Sequence, residues 1–171
     1  GASVTSLRHA PLPPALDPGE GWLWAHFGLS DQRARNFVAH GAGFPAPVAE
    51  VLLGEDCSPR ILLEGDWIYG ALPDLERDIH GAVAGPGRLR FAFNARVLVT
   101  TRRHALHVVH DFHQMMEAGF DLPASPLDAF TRLTLLYADE VEARLDQLAH
   151  VANQIEDKVL DERADLKDLS I

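Results

Sequence analysis

Four histidines recur at every third position of one segment, His104, His107, His110 and His113, and Asp111 lies among them. Imidazole and carboxylate groups are ligands of Zn²⁺ and related cations, and side chains three or four positions apart are neighbours on a helix. All four imidazoles span about half the circumference of a helix, so they cannot bind one ion together. One interpretation is a metal site of His107, His110 and Asp111, completed by water or a second subunit. The other is a solvated helix face that happens to use histidine.

A polar stripe on the last predicted helix is the second candidate. Its members lie within about 80° of arc at 100° per residue, opposite an apolar stripe that contains Leu148, Ile155 and Val159. A row of carboxylates attracts divalent cations, as acidic rings do in cation channels, whereas an ordinary solvent-exposed face has the same pattern. The polar stripe consists of Asp139, Glu142, Asp146, His150, Asn153 and Asp157.

Signatures of enzymes are missing from the sequence. It contains no Gly-Xaa-Ser-Xaa-Gly, no phosphate-binding glycine loop and no His-Glu-Xaa-Xaa-His. A zinc hydrolase would need a pocket that collects a nucleophile, a base and a ligand set. We therefore expect a protein that is not an enzyme and requires no cofactor, although it could bind Zn²⁺ or another divalent cation.

Composition narrows the class of protein further. The chain has 171 residues, 47% of them hydrophobic, and a net charge of −10, which is typical of a folded protein and argues against nucleic acid as a partner. The single cysteine, Cys57, excludes a disulfide within the chain and favours a reducing compartment. Residues 1–110 carry a balance of −1 and residues 111–171 a balance of −9. No stretch approaches the roughly 18 apolar residues of a membrane helix.

The elements that must position these residues can be predicted from turn and cap signals. We predict a proline-rich tail or arm over 1–20, an α/β part over 21–122 and a long helical segment over 123–171. Within the α/β part the predicted elements are a strand at 22–27, a helix capped by Ser30 that continues to about His40, a helix from Pro47 to Leu53, hairpins of 60–63 with 67–72 and of 89–93 with 96–100, a mixed loop over 73–87, and a helix from Arg102 to Ala118.

The last helix has the clearest start signal. Ser125 can cap it, Pro126 suits the first helical position, and apolar residues then recur at helical spacing as far as Val159. An unbroken helix over 126–160 would be roughly 52 Å long, whereas a compact body of this size is about 40 Å across. The helix should therefore overhang or bend, and its apolar stripe implies another helix of the same parent chain or another subunit.

Four segments together resemble the N-terminal cytosolic domain of CorA-type divalent-cation transporters. The resemblance covers roughly residues 21–165 and is greatest to the ZntB branch, which is associated with zinc. The segments are 21–27 (Gly-Trp-Leu-Trp-Ala-His-Phe), 58–62 (Ser-Pro-Arg-Ile-Leu), 96–102 (Arg-Val-Leu-Val-Thr-Thr-Arg) and 154–161 (Gln-Ile-Glu-Asp-Lys-Val-Leu-Asp).

The resemblance implies both an architecture and a role. The expected fold is α/β (α+β), a layered α/β/α domain with a mixed sheet built from hairpins, followed by a long acidic helix. In the family, five copies surround a funnel at the cytoplasmic face of the inner membrane, and pore helices with a Gly-Xaa-Asn motif come after it. Neither is in this chain, so membrane contact would come only through the missing part, and the chain alone should be a monomer or weak dimer.

Two functions therefore remain open at this stage. The first is the cytosolic domain of a divalent-cation transporter, with zinc as the expected ion and a cation-attracting, regulatory and assembly role. The alternative is a free-standing cytosolic metal-binding or scaffold protein that uses the histidine-rich helix.

Overall fold

The computed structural model describes residues 11–55, 58–77, 80, 83–119 and 121–168. Its contacts divide the chain into one compact unit that extends to Thr134 and a second that begins at Leu135. The elements in chain order are β1 (Leu23–Gly28), α1 (Gln32–Asn36), a π-helix (Phe37–Gly41), α2 (Ala46–Leu53), β2 (Arg60–Glu64), β3 (Trp67–Arg77), β4 (Val83–Phe93), β5 (Val97–Arg102), α3 (His107–Ala118) and α4 (Pro126–Asp168).

A mixed five-stranded sheet organises the first unit, in the order β1-β5-β4-β3-β2. The first strand joins the sheet in parallel beside β5, and the other three pairings are antiparallel. The two short helices α1 and α2 lie in the connection after β1, as a parallel pairing requires a long crossover. The prediction of a mixed sheet built from hairpins is confirmed.

The predicted mixed loop over 73–87 is wrong, because β3 and β4 are strands of eleven residues that continue through most of it. Proline and glycine are usually rare inside strands. Pro73 instead occupies a regular position opposite Arg88, and the register shifts only between Glu76 and Arg77. At Gly87, a Cβ atom would come within 2.6 Å of the Leu106 side chain, so this glycine permits close packing and does not end a strand.

Two helix starts also differ from the prediction. Asp31, and not Ser30, caps α1, because its carboxylate accepts the backbone N–H of Arg33 at 2.8 Å. The helix α3 begins at His107 and not at Arg102, because β5 extends to Arg102 through its pairing with Gly28. His104 therefore precedes α3, and the helix carries three of the four histidines.

Side-chain alternation along the strands creates two apolar layers. On one face, α1, the π-helix and α2 cover a cluster that includes Phe27, Val48, Leu52, Tyr69, Ala92 and Val99. On the other face, the side chains of Trp24 and Leu89 pack with Leu106 and Val109 at the beginning of α3. The start of α4 covers the same face, where the ring of Phe130 lies 4.4 Å from that of Phe91. The helices thus lie on both faces of the sheet, as expected of a layered α/β/α domain.

The start of α4 is formed as predicted. The Ser125 hydroxyl accepts the backbone N–H of Asp128 at 3.1 Å, and the Asp128 carboxylate accepts the N–H of Ala124 at 2.8 Å. The first two turns belong to the first compact unit, since Phe130 and Leu133 are buried. In the described part of the chain, no helix combines the length and the apolar character needed to cross a membrane.

The predicted tail over 1–20 is described only from residue 11 onward. In this part, the side chains of Leu12 and Leu16 pack against the cluster under α1 and α2. The guanidinium of Arg96 donates a hydrogen bond to the carbonyl oxygen of Gly19. Residues 11–20 are therefore attached to the body of the domain.

Candidate cation-binding site

His107 and Asp111 are the two predicted metal ligands that the structure brings together. They lie one turn apart at the beginning of α3, with His107 Nδ1 3.3 Å from Asp111 Oδ2. The two atoms are not aligned for a hydrogen bond, so the buried Nδ1 has no hydrogen-bond partner. An imidazole nitrogen beside a carboxylate oxygen is suited to a divalent cation, but it supplies only two ligands.

The other histidines of the segment lie apart from this pair. His110 is exposed, and its Nε2 is 3.0 Å from Nε2 of Gln114. Nδ1 of His113 lies 3.4 Å from the carboxylate of Glu117. Among the residues that the structure describes, no three histidine, cysteine or acidic side chains are grouped to hold a metal ion. The predicted set of His107, His110 and Asp111 stays a prediction.

Asp74 on β3 is a site residue that the sequence analysis missed. It is buried beside the beginning of α3, and its Oδ1 accepts the backbone N–H of Leu75 at 2.6 Å. Its other oxygen, Oδ2, is buried without a hydrogen-bond partner. Aspartate is rare in strands, so an aspartate inside β3 would have indicated a special role. Because residues 73–87 were predicted to be a loop, Asp74 did not stand out.

Burial raises the pKa of Asp74 from 3.8 to about 6, because it disfavours the charged carboxylate. The backbone N–H groups of Leu75 and Val108 and the imidazole of His107 act in the opposite direction, and Asp111 adds to the increase in the pKa. Val108 lies in the first turn of α3, where backbone N–H groups have no partner within the helix and favour a nearby negative charge. His107 and Asp111 therefore both act on the Asp74 carboxyl near the beginning of α3, where a cation would favour the ionised form of Asp74.

A second polar network lies between β1, β5 and α3. The indole N–H of Trp24 donates to Thr100 Oγ1 at 2.9 Å, and His26 Nδ1 lies 2.8 Å from the same oxygen. Arg102 Nε donates to His26 Nε2 at 2.9 Å. Because a guanidinium can only donate, Nε2 is the acceptor and Nδ1 carries the proton. Burial, the charge of Arg102 and His113 lower the pKa of His26 to about 3, so this imidazole is neutral and both its nitrogens are engaged.

The acidic stripe of α4 belongs to the second unit. The side chains of its members Asp139, Glu142, Asp146, His150, Asn153 and Asp157 are exposed. On the opposite side of the helix, Leu148 and Ile155 are 65% and 58% exposed. The two opposed stripes are thus present on a continuous helix, and in this chain both face water. Attraction of cations to the acidic stripe stays a prediction.

Replacing Asp74 with Asn should raise the free energy of unfolding near neutral pH. The carboxyl has a pKa of about 6 in the folded chain and an ordinary value of 3.8, so the folded chain alone binds this proton between these values. The Asp74 contribution therefore becomes more favourable as the pH falls through 6 and is lost as the pH rises. Relative to wild type, Asp74→Asn should gain about 1–3 kcal/mol near pH 7 and almost nothing near pH 4, measured by urea unfolding.

The matched control for this prediction is Asp66→Asn, which removes an exposed carboxylate from the turn between β2 and β3. It should change the unfolding free energy by less than about 0.5 kcal/mol at either pH. A constant difference between Asp74→Asn and wild type at both pH values would contradict a raised pKa for Asp74.

The fold is similar to that of solved proteins. The structure of the full-length CmaX protein matches with a TM-score of 0.73 and 24% identity over 82% of this chain and 43% of that one. The ZntB cytoplasmic domain from Vibrio parahaemolyticus RIMD 2210633 matches with a TM-score of 0.70 and 15% identity over 83% of this chain and 57% of that one. The chain thus spans about half the length of each.

The comparison of sequences identifies the family. No protein of curated function matches the chain. The family model described as "CorA-like Mg2+ transporter protein" matches residues 19–170, which include every strand and helix of the sheet-containing unit and the whole of α4. The chain therefore belongs to the CorA-like Mg2+ transporter protein family.

Proposed function

We propose that this chain is the cytosolic funnel domain of a divalent-cation transporter at the inner membrane, with zinc as the transported ion and no catalytic activity. The observation that carries the proposal is the family match over residues 19–170. The fold adds support, since it is similar to that of a ZntB cytoplasmic domain. The pore helices would be supplied by a part of the parent protein outside this chain.

The acidic stripe of α4 would concentrate cations near the pore. Asp139, Glu142, Asp146 and Asp157 are exposed and form no ion pair within the described residues. Unneutralised carboxylates in a row create a negative potential that raises the local concentration of divalent cations, most strongly at low ionic strength. Five copies around a funnel would multiply this potential.

The apolar stripe of α4 would be an assembly surface. Its residues keep a spacing of alternately four and three positions through Val141, Leu145, Leu148, Ala152, Ile155 and Val159, as in helices that pack along one another. Leu145 and Leu148 are 60% and 65% exposed. The stalk helix of the parent protein, or a neighbouring subunit of a homopentamer, would cover them.

A regulatory metal contact on α3 would use His107 and Asp111. The two side chains provide two ligands whose nearest atoms are 3.3 Å apart, and water or a neighbouring subunit would complete the coordination. The same contact is the observation that favours the alternative function, a free-standing metal-binding or scaffold protein. The two functions differ in the protein segment that the gene should encode after this domain.

The gene beyond the codon for Ile171 distinguishes the two functions. A transporter should continue with a long helix and then two apolar segments of about 20 residues with Gly-Xaa-Asn between them. Sequencing the parent gene tests this directly. A stop codon close to Ile171 would instead support the free-standing metal-binding protein.

Neutralising the acidic stripe should weaken cation binding. The variant Asp139→Asn/Glu142→Gln/Asp146→Asn/Asp157→Asn should raise the dissociation constants for Mg²⁺ and Zn²⁺ about three- to tenfold at low salt, measured by calorimetry. The effect should diminish as salt is added. A control with the same net charge, Asp17→Asn/Glu20→Gln/Glu50→Gln/Asp66→Asn, removes exposed carboxylates from the body and should have a smaller effect. Equal effects of both variants would mean that only net charge matters.

Substitutions on α3 should separate the histidines. Because His107 lies beside Asp111 and His110 does not, His107→Ala should weaken Zn²⁺ binding about tenfold, whereas the matched variant His110→Ala should change it less than about twofold. Calorimetry with Zn²⁺ is the measurement. Losses in both variants would favour the three-residue set predicted from the sequence. Identical heats for both variants and wild type would remove α3 from cation binding.

A further inference from the structure

The edge strand β2 exposes an apolar segment that the proposed function does not explain. All five of its residues, Arg60–Glu64, are exposed, and three consecutive ones are aliphatic. Ile61, Leu62 and Leu63 are 59%, 38% and 70% exposed. One side of β2 pairs with β3, and no other strand in the described part of the chain pairs with its outer edge.

An open edge of this composition favours pairing with another strand. Outward-pointing N–H and C=O groups of an edge are a template for a further strand, and proteins usually block them with proline, a bulge or a charge in the middle of the strand. Residues 60–64 contain none of these devices. The two charges lie at the ends, Arg60 before and Glu64 after the aliphatic residues, so they leave the centre of the edge open.

The order of these charges identifies the partner as a second copy of the same strand. We propose that β2 pairs antiparallel with β2 of a second copy, about a two-fold axis that passes beside Leu62. In this register Arg60 of each copy lies opposite Glu64 of the other, and opposite charges on directly facing residues stabilise a strand pair. Parallel in-register pairing would place arginine opposite arginine, and a shift by two residues would place each Arg60 opposite Leu62.

The apolar side chains suit the same register. Ile61 of one copy lies opposite Leu63 of the other, so two such pairs bring four aliphatic side chains together on one face of the joined sheet. Within the chain, the neighbours of Ile61 and Leu63 on β3 are Gly70 and Ile68. Gly70 has no side chain, and a Cβ there would overlap the carbonyl oxygen of Arg60. Ile61 therefore gains little cover from its own chain and gains most from a second copy.

The contact defines a weak two-fold dimer and not a ring. Five facing residue pairs bury less than the roughly 1,200 Å² of a standard stable interface, so the dimer should form only at high protein concentration. An isologous contact closes after two copies, which distinguishes it from the contacts around a five-fold funnel. In a pentameric parent it would connect two assemblies.

Charge reversal tests the proposed partner. Arg60→Glu places two like charges opposite each other at both ends of the contact and should raise the dimer dissociation constant about tenfold, and Glu64→Arg should do the same. The double variant Arg60→Glu/Glu64→Arg restores opposite charges and should return the constant to within about threefold of wild type. Sedimentation velocity over a concentration series up to about 1 mM measures it, and circular dichroism checks that each variant is folded.

A cysteine series tests the register without depending on affinity. In a Cys57→Ser background, Leu62→Cys faces its own copy and should form a dimeric disulfide under mild oxidation. The matched variants Ile61→Cys and Leu63→Cys should crosslink at least about fivefold more slowly, because each is diagonal to its own copy at about 7–8 Å. Equal rates at the three positions would overturn the register.

The apolar stripe of α4 is the competing source of association. The variant Leu148→Lys/Ile155→Lys should leave the Arg60-dependent dimer unchanged. A dimer that this variant abolishes and that Arg60→Glu leaves intact would overturn the proposal. So would the absence of any dimer at the highest concentration together with no selective crosslinking at Leu62.

Discussion

Two adjacent threonines on β5 connect the layers of this domain. Thr100 and Thr101 are completely buried, and because side chains alternate along a strand, they point to opposite faces of the sheet. Thr101 Oγ1 donates to the carbonyl oxygen of Leu52 at the end of α2, at 2.6 Å. Thr100 Oγ1 accepts the indole N–H of Trp24, whose ring packs edge-on against Phe112 of α3. A buried hydroxyl without its partner costs about 1–3 kcal/mol, so both layers depend on this strand.

Two sets of polar side chains lie between α3 and the sheet, one around His26 and one around Asp74. They differ in how completely their buried polar atoms are hydrogen-bonded. His26 is neutral, and both its ring nitrogens contact partners, which makes this network rigid. Asp74 faces the first turn of α3 with one oxygen unpartnered. Their responses to acid are opposite: protonation of His26, whose pKa is lowered, disfavours the folded chain, whereas protonation of Asp74, whose pKa is raised, favours it. The charge state therefore matters most where Asp74 of β3 faces the beginning of α3.

Local signals in the sequence predicted the elements well where one pattern dominated. The cap at Ser125 and the helical period after it located α4, and the spacing of His107 and Asp111 placed them on one face of a helix. Long-range pairing could not be seen in the same way. Pairing with β4 makes all eleven residues of β3 a strand despite Pro73. Pairing with β1 keeps β5 extended to Arg102, and α3 begins only five residues later, at His107. Asp74 was missed for this reason, since its burial depends on both effects.

The row of carboxylates on α4 has a cost to the helix that carries it. Glu142 and Asp146 are one turn apart, and like charges at this spacing destabilise a helix by about 0.2–0.5 kcal/mol per pair. In the described part of this segment, Arg144 forms an ion pair with Glu140 at 2.7 Å. This pair offsets little of the repulsion between the carboxylates, because Glu140 lies outside the stripe. A helix that only needed to be stable would alternate acidic and basic residues on its exposed face. A row of carboxylates without basic partners is what the proposed attraction of cations from outside the helix requires.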